Sequence, residues 1–295
     1  MIRSIVNLAI TESGNVKESD QIISDHYTVN DLGSQILDAL AASGKDIDAL
    51  TVDDLSPVDA FHIRGRAATE EISQLLGAQP SEKMLDVGCG LGGTSRFIAS
   101  TLGCDVTGLD LTDDYCRVAT MLSEKVGLSE RTRFVQGSAL ALPFDDQSFD
   151  IVLTEHVQMN IEDKAGFYNE IARVLKPSGR FAFHDIFAGK NDNLQFPLPW
   201  ASDQSSSHLA SIPDLEQVLT GLGFERLHWE DKTDASKAFF GVVFERVQRE
   251  GRMPLGLHLL MGENADTKFA NLQANLEENR VRVVLAVLTK PSAEA

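Results

Sequence analysis

The sequence predicts an α/β fold built on a seven-stranded, mostly parallel sheet with helices on both faces. Three observations carry this prediction. Short apolar segments alternate with amphipathic helical segments from residue 83 onwards, a glycine-rich turn joins the first strand to its helix, and a long apolar strand closes the chain. Parallel strands need right-handed crossovers, which place helices on both faces of the sheet. Ligands of such sheets bind beyond the carboxyl ends of the strands, so functional residues are expected there.

Seven apolar segments have the length and boundaries of strands. They span residues 84–87, 105–109, 132–135, 149–153, 180–185, 225–230 and 281–288. Helical periodicity occurs between them, at residues 94–102, 113–126, 161–175 and 212–223. The fifth strand is entered through a turn at residues 176–179, which contains a proline and a glycine.

The chain divides into a sheet domain and two helical additions. Residues 1–20 are polar and are predicted to be a mobile leader that lacks the features of a secretory signal. We predict an N-terminal helical lid over residues 21–78 and the sheet domain over residues 79–295. Within that domain, residues 234–278 are predicted to form a helical cap of two helices with a Gly/Pro-containing bridge. The apolar residues at helical spacing in the lid are Leu32, Ile36, Leu37 and Leu40.

The composition argues against several classes of partner. The formal net charge is −18, and so acidic a surface repels nucleic-acid phosphates and anionic membranes. No apolar run approaches the roughly 20 residues that a membrane helix needs. The three cysteines, Cys89, Cys104 and Cys116, have no close pairing and no histidine at ligand spacing, so neither a disulfide framework nor a metal site is predicted. We expect a cytoplasmic protein.

The glycine-rich turn has two interpretations. Gly88, Gly90 and Gly93 satisfy the pattern G-x-G-x-x-G, and Asp110 follows about 20 residues later at the end of the second strand. A carboxylate at that point can accept hydrogen bonds from ribose hydroxyls. The pattern alone therefore fits a nicotinamide dinucleotide as well as any other cofactor that carries a ribose.

Asp86 discriminates between these cofactors. It stands two residues before Gly88, at the tip of the first strand, where its carboxylate would repel a pyrophosphate bound on the turn. S-adenosylmethionine has no phosphate and carries a sulfonium and an ammonium, so an acid beside it is favourable. This favours the methyl donor over the dinucleotide.

The motif around these residues resembles the cofactor loop of class I, Rossmann-like S-adenosylmethionine-dependent methyltransferases. The loop is Leu85-Asp86-Val87-Gly88-Cys89-Gly90-Leu91-Gly92-Gly93. Later segments that match the family are residues 105–110, 137–144 with 148–150, 174–180 and the closing strand. The resemblance covers about residues 60–290. It implies the small-molecule subgroup similar to quinone-biosynthesis and sarcosine/dimethylglycine methyltransferases, and residues 156–161 are most like the latter.

The resemblance also implies a set of cofactor-binding residues. They are Asp86, Gly88, Cys89, Gly90, Gly92, Gly93, Thr94, Asp110, Leu111, Ser138, Ala139, Glu155 and Arg66. Ser138 departs from the family, because relatives usually have an aspartate or asparagine there to hold the adenine amino group. Its hydroxyl, or the backbone of Ala139, is expected to serve instead. Arg66 is preferred over Arg64 as the partner of the cofactor carboxylate.

Candidates for catalysis follow the fourth and fifth strands. His156 is a candidate base, since a histidine pKa near 6.5 suits proton transfer, and the alternative is that it only shapes the pocket. His184 and Asp185 point to opposite faces of a strand, so at most one is expected to reach the pocket. Residues of the predicted substrate pocket are Met159, Asn160 and Trp200. Asn160 has the alternative role of helix cap, and Trp200 the alternatives of cation–π wall or plain apolar cover.

The predicted function is therefore methyl transfer from S-adenosylmethionine to a small-molecule acceptor, for example an amine such as a glycine derivative. Alternatives are C- or O-methylation of a quinone-like or phenolic acceptor, a nicotinamide-dependent oxidoreductase, and a cofactor-binding module without catalysis. No nucleic-acid or membrane partner is expected. The N-terminal helices could support a homodimer.

Overall fold

The computed structural model describes residues 20–29, 31–191, 193–262 and 264–292, so the predicted leader lies outside it except for residue 20. These residues contain one seven-stranded sheet with the order β3-β2-β1-β4-β5-β7-β6. The strands from β1 to β5 pair in parallel, and β7 runs antiparallel to both β5 and β6. The strands are Lys83–Val87 (β1), Asp105–Asp110 (β2), Thr132–Gln136 (β3), Phe149–Glu155 (β4), Leu175–Ala188 (β5), Glu225–Asp231 (β6) and Val281–Thr289 (β7). The predicted fold class is confirmed.

Helices surround this sheet and extend beyond it. They are residues 20–27 (α1), Leu32–Ala42 (α2), Val52–Asp59 (α3), Arg66–Leu76 (α4), Gly93–Leu102 (α5), Asp113–Lys125 (α6), Lys164–Val174 (α7), Ile212–Gly221 (α8), Thr233–Glu250 (α9), His258–Met261 (α10) and Ala265–Glu277 (α11). Among the described residues, none of these helices has both the length and the apolar character needed to cross a membrane.

Alternation along the strands builds a core on each face of the sheet. Met84 and Ile151 point to one face, where they pack with Ile72 of α4 and Ile98 of α5. Their strand neighbours point the other way, towards a cluster that contains Phe167 of α7. Successive side chains of a strand lie on opposite faces, so strands covered on both faces are apolar throughout. This explains why the predicted strands appear as continuous apolar runs.

The N-terminal addition is shorter than predicted. Leu32, Ile36 and Leu40 of α2 are buried against α6, as their spacing predicted, and Leu37 packs partly buried beside them. By contrast, α4 contacts β5 and β7 and belongs to the helical layer of the sheet. We therefore use the name lid for residues 20–59, which contain α1, α2 and α3.

The segment predicted as a cap contains two long helices and one short helix among its described residues. Helices α9 and α11 pack on each other and on β7, and short α10 lies in the bridge between them. Phe240 and Leu272 of the cap join Val281 and Val283 of β7 in one buried cluster. A second cluster joins lid and cap, since it contains both Leu32 of α2 and buried residues of the 255–260 segment. The two additions therefore meet over the sheet.

Two predicted boundaries are corrected by local hydrogen bonding. Helix α7 begins at Lys164, and Asp163 caps it by accepting a hydrogen bond from the Gly166 amide at 2.8 Å. The turn at residues 176–179 interrupts the pairing of β5 with β4, where Ser178 has φ +60°. The turn thus lies inside the strand and does not precede it.

One buried ion pair connects the lid to the sheet domain. Arg96 of α5 is fully buried and donates to Asp59 Oδ1 at 2.8 Å, at the end of α3. The same guanidinium donates to the carbonyl oxygens of Leu91 and Ala119, at 2.6 and 3.1 Å. The lid, the loop before α5 and helix α6 are therefore bound to one side chain.

Replacing Asp59 should cost much stability. Asp59→Ala leaves the buried Arg96 charge without its carboxylate, and breaking a buried pair this way costs about 3–5 kcal/mol. Chemical denaturation measures the change in the free energy of unfolding. The matched control is Asp113→Ala, which removes an exposed partner of Arg117 and should cost at most about 1 kcal/mol. Equal losses in the two variants would contradict the role given to Arg96.

Candidate functional site

A cavity of about 960 Å³ lies at the carboxyl ends of β1, β2 and β4, beneath the lid and the cap. The fold rule for parallel sheets predicted this place. The volume is at the upper end of the range of about 300–1,000 Å³ for ligand pockets, so two small ligands can fit side by side. The end of the cavity near β1 and β2 is rich in acids, and the end under the cap is lined mainly by apolar residues.

The glycine loop, residues 88–93, forms the floor near β1. The amides of Gly88 and Cys89 donate to the Leu109 carbonyl at 2.7 and 3.0 Å, which folds the loop over the end of β2. Gly88 has φ +74°, and a side chain on it would collide with Val157. Only glycine satisfies both conditions. Gly88, Cys89 and Gly90 all line the cavity, as predicted for cofactor-binding residues.

Gly92 and Gly93 have a packing role. Neither lines the cavity. A Cβ on Gly92 would lie 2.5 Å from the Phe134 ring, and one on Gly93 would lie 2.6 Å from the Asp59 carbonyl oxygen. These two glycines therefore let α5 approach β3 and the lid closely, and their contact with the cofactor stays a prediction.

Three buried acids surround the sheet end of the cavity. Asp86 Oδ2 accepts from Ser95 Oγ at 2.6 Å, and Glu155 Oε2 accepts from Thr94 Oγ1 at 2.5 Å. Burial, together with the nearby Glu155 and Asp110 carboxyls, raises the pKa of Asp86 to about 7. Burial likewise raises the pKa of Glu155 to about 7. This end disfavours a phosphate and suits a cation.

Asp110 occupies the end of β2, as predicted for a ribose ligand. Its Oδ2 accepts from the Gly90 amide and its Oδ1 from the Thr112 amide, both at 2.9 Å. Burial raises the pKa of Asp110. Each carboxylate oxygen can accept a second hydrogen bond, so two ribose hydroxyls can still bind. Leu111 lines the wall beside it.

Ser138 and Ala139 line the cavity beyond β3, at the predicted adenine end. The Ser138 hydroxyl hydrogen-bonds the Asp20 carboxyl of α1, and burial raises the pKa of that carboxyl. Ser138, where the sequence departs from the resembled family, is therefore in contact with the lid.

Both candidate arginines line the cavity, so the preference for Arg66 is not decided by position. The Arg66 guanidinium lies over the Phe97 ring, 4.6 Å from its centre, and donates to the Val52 carbonyl at 3.2 Å. Arg64 pairs with Glu71 at 2.7 Å. Each retains a buried Nη1 that has no hydrogen-bond partner among the described residues. Either arginine can donate to a carboxylate.

Three histidines gather around Glu155. His62 Nε2 lies 3.4 Å from Glu155 Oε2, and His184 Nδ1 lies 4.0 Å from Glu155 Oε1. The His156 and His184 rings stack with centres 5.1 Å apart. His156 lines the cavity with φ +55°, whereas His184 is fully buried behind it. His62 was not predicted as a site residue, because its only sequence signal was its place before the candidate arginines.

Burial sets the charge state of these imidazoles. It lowers the pKa of His62 to about 4 and lowers the pKa of His156 and His184 well below the usual value. All three rings are neutral near pH 7, so each can offer a nitrogen lone pair.

Asp185 does not line the cavity, although it was predicted as a catalytic residue. Its carboxylate accepts from the backbone amides of Val157, Gln158 and Ile186, at 3.2, 3.1 and 2.8 Å. It therefore positions the turn after β4, the turn that begins with His156. Strand alternation separates it from His184, as expected.

The three predicted pocket residues all line the cavity. Asn160 is not a helix cap, since its side-chain amide donates to Tyr27 Oη at 3.2 Å and so connects the turn after β4 to α1. Trp200 is buried and donates from Nε1 to Ser207 Oγ at 3.0 Å. Met159 is buried beside them.

The apolar end of the cavity was not predicted in detail. Its wall is the inner face of the cap, and the apolar residues on it include Phe239, Phe240, Val243, Phe244, Phe269 and Leu272. Arg246, Arg252, His258 and Asp266 of the same segment also line the cavity. In the sequence, apolar residues at this spacing are equally typical of an ordinary core helix. Only the placement of α9 and α11 over the strand ends reveals them as cavity wall.

Comparison with known proteins identifies a domain within the chain. A family model described as a methyltransferase domain matches residues 85–183. The chain contains a class I S-adenosylmethionine-dependent methyltransferase domain. The donor of such a domain is S-adenosylmethionine, in agreement with the acids around the glycine loop. The nicotinamide alternative is therefore set aside.

Relatives of this methyltransferase domain act on different acceptors. The chain is 37% identical over 164 residues to a sterol 24-C-methyltransferase of Gibberella zeae, covering 53% of this chain and 43% of that protein. It is 30% identical over 190 residues to a glycine/sarcosine/dimethylglycine N-methyltransferase of Actinopolyspora halophila, covering 64% and 34%. The chain thus spans less than half the length of these two relatives.

A solved structure shows the same fold over nearly the whole chain. Geranyl diphosphate C-methyltransferase from Streptomyces coelicolor superimposes with a TM-score of 0.67, covering 92% of this chain and 98% of that chain. The two sequences are only 16% identical, so this likeness concerns the fold alone. The lid and the cap are therefore part of a fold that a known methyltransferase also has.

Removal of the Asp110 carboxylate should weaken donor binding. Asp110→Ala loses charge-assisted hydrogen bonds of about 1.5–3 kcal/mol, which corresponds to roughly a tenfold to hundredfold higher Kd. Calorimetry with S-adenosylmethionine and S-adenosylhomocysteine measures it. Asp113→Ala, three residues along and exposed, is the control and should bind both ligands normally. An unchanged Kd in Asp110→Ala would contradict a ribose contact.

Asp86 should make the ligand-free protein less stable as the pH rises. Its pKa is 3.8 in the unfolded chain and about 7 when folded, so between these values the native state holds a proton that the unfolded state has released. Stability then falls as the pH rises through this window. Asp86→Asn removes this contribution. Denaturation at about pH 5 and about pH 8 should show a smaller fall for the variant, and an equal fall would refute the assignment.

Proposed function

We propose that the chain transfers the methyl group of S-adenosylmethionine to a large, mainly apolar acceptor that carries a hydroxyl at its reacting end, such as a prenylated phenol or quinol. The observation that carries this proposal is the division of one cavity into an acidic end and an apolar end. The acids Asp86, Asp110 and Glu155 suit the donor. The space that remains lies under the phenylalanines of the cap.

The lining under the cap supports an apolar body for the acceptor. Phe240 and Leu272 are buried, and Phe239, Phe244 and Phe269 pack partly buried around them. Burial of apolar surface contributes roughly 25 cal/mol per Å², so a long hydrocarbon would bind here and a small zwitterion would not gain from it. This favours the phenolic or quinone-like alternative over a glycine derivative.

The polar group of such an acceptor would meet the histidines. His156 lies on the cavity wall, and its Nε2 is buried with no hydrogen-bond partner among the described residues. It remains the candidate base. An acceptor O–H would give its proton to this nitrogen while the oxygen attacks the methyl carbon. The new O–CH₃ bond forms as the S–CH₃ bond breaks, and S-adenosylhomocysteine leaves.

Alignment of the donor methyl group with the acceptor oxygen accounts for the rest of the rate acceleration. An in-line displacement is accelerated by holding the two reactants in contact and excluding water. Lid and cap close over the strand ends for this purpose, and Asp185 fixes the turn that carries His156. These residues position the reactants, and the sulfonium activates the methyl carbon.

An amine acceptor is the second candidate. The likeness to a glycine/sarcosine/dimethylglycine N-methyltransferase favours it, as does the aromatic face of Trp200, which would attract an ammonium. Against it, the far wall of the cavity offers phenyl rings and aliphatic chains in excess of what a small amine can contact.

An acceptor panel tests the proposal. Formation of S-adenosylhomocysteine is measured with phenols and quinols, each with and without a prenyl tail, and with a sterol, glycine derivatives and ethanolamine derivatives. We expect turnover with tailed phenols or quinols and little with their short counterparts. Turnover of small amines alone would refute the proposed acceptor, and tight donor binding without turnover of any acceptor would favour a binding module.

Shortening one cap side chain should weaken binding of the acceptor and leave binding of the donor unchanged. Phe244→Ala removes apolar contact from the cavity wall, and loss of about 1.4 kcal/mol would raise the KM for a tailed acceptor about tenfold. The donor Kd should not change. Val242→Ala, on the same helix but 67% exposed, is the matched control. A loss of donor affinity in Phe244→Ala, or equal effects in both variants, would count against the assignment.

A further inference from the structure

We propose that His62, Glu155 and His184 together bind one divalent first-row metal ion, with Zn²⁺ as the best fit, beneath the floor of the cavity. No spacing in the sequence indicates such a site, because the three residues come from the segment before α4, the end of β4 and the middle of β5. The inference concerns binding of the ion and does not depend on which acceptor the enzyme methylates.

The ligand atoms are close enough to share one ion. One atom from each residue lies within 4.8 Å of the others. His62 Nε2 is 3.4 Å from Glu155 Oε2, and His184 Nδ1 is 4.0 Å from Glu155 Oε1. Two ligands at about 2.0–2.1 Å from a tetrahedral Zn²⁺ are separated by roughly 3.3–3.4 Å. Small side-chain rotations would therefore bring the three atoms to coordination distance.

Unpartnered atoms in this cluster point to a missing ligand. His184 is fully buried, and neither of its ring nitrogens has a hydrogen-bond partner among the described residues. Glu155 Oε1 is buried and unpartnered as well. A buried polar group without a partner costs about 1–3 kcal/mol. A metal ion between Glu155 Oε1 and His184 Nδ1 would satisfy both atoms at once.

The surrounding groups prepare these residues for a metal. His62 Nδ1 lies 3.5 Å from the Ile63 carbonyl oxygen, so the ring is oriented with Nδ1–H towards that oxygen and the lone pair on Nε2. Thr94 Oγ1 donates to Glu155 Oε2. Such hydrogen bonds to the outer side of the ligands are typical of metal sites. The Thr69 hydroxyl lies 3.2 Å from His62 Nε2, the atom that would bind the metal. Because it also lies 3.4 Å from Thr94 Oγ1, it keeps a hydrogen-bond partner when the metal takes the Nε2 lone pair.

The donor set selects the class of ion. Two imidazoles with one carboxylate are bound by Zn²⁺ in catalytic sites, with a fourth position left open, and the same set also suits Fe²⁺. The His156 ring stacks on His184, and its unpartnered Nε2 is a candidate for the fourth position. Otherwise that position is left for a water or for an oxygen of the acceptor, since His62 and Glu155 both line the cavity.

Metal titration of the whole chain tests the site. The protein is treated with a chelator, dialysed and titrated with Co²⁺, whose visible absorption reports four-coordinate nitrogen and oxygen ligation, and Zn²⁺ and Fe²⁺ then compete for the site. We expect one equivalent of Co²⁺ to bind. His184→Asn and Glu155→Gln should each weaken the binding at least tenfold. His258→Gln changes a histidine of the cap outside the cluster and should bind normally.

The results of the metal titration decide whether the proposed metal site exists. A folded wild-type chain that binds no Co²⁺ or Zn²⁺ up to millimolar concentration would overturn it, and so would full affinity in His184→Asn. If these variants do not fold, X-ray absorption of the Zn²⁺-loaded wild type must show at least two imidazole ligands, the third being His156 if it takes the fourth position, and fewer than two imidazoles overturns the proposal. The readout needs neither donor nor acceptor, so inactivity towards the acceptor panel leaves the metal result intact.

Discussion

A single buried guanidinium holds together the parts that enclose the cavity. Arg96 reaches from α5 to Asp59 at the end of α3, to the carbonyl of Leu91 in the glycine loop and to α6. A charge removed from water in this way is stable only when its partners satisfy it, so α3 cannot move from α5 without leaving that charge unpaired. Gly93 makes the approach possible, because any side chain there would meet the Asp59 backbone. Lid, loop and sheet are thereby fixed in one arrangement.

That arrangement creates two environments within one enclosed space. Near β1 and β2, the buried carboxyls keep raised pKa values because they lack solvent and lie close to one another. A sulfonium or ammonium bound there would restore their ionised forms. Under the cap, the phenylalanines of α9 and α11 provide a surface that water wets poorly. In the proposed function, the chemistry of the two walls separates donor from acceptor, and the histidines lie between them.

The turn after β4 is where these environments meet. His156 has a left-handed backbone there, which is uncommon for a residue with a side chain and persists only when its surroundings enforce it. Asp185 enforces it by accepting from two amides of the turn, and Asn160 attaches the turn to Tyr27 of the lid. Movement of α1 would therefore be transmitted to the turn that carries His156. The lid contributes to the shape of the site as well as to its closure.

The sequence by itself determined the features that depend on neighbours along the chain. Period-two and period-3.6 patterns predicted the strands and helices, and Asp86, the glycine loop and Asp110 predicted a donor site, because all three lie at consecutive strand ends. Roles that depend on contacts between distant segments were decided only by the tertiary structure. Gly92 and Gly93 pack against Phe134 and Asp59, and Asp185 binds backbone amides.

The same reason explains the groupings of residues that the sequence did not reveal. His62, Glu155 and His184 come from three elements far apart in the chain, and no spacing rule connects them. The phenylalanines of the cap have the periodicity of any core helix, and they became cavity wall only because α9 and α11 cross the strand ends. Local patterns predicted where the methyl donor binds, whereas the apolar side of the cavity was decided by which faces the folded chain brings together.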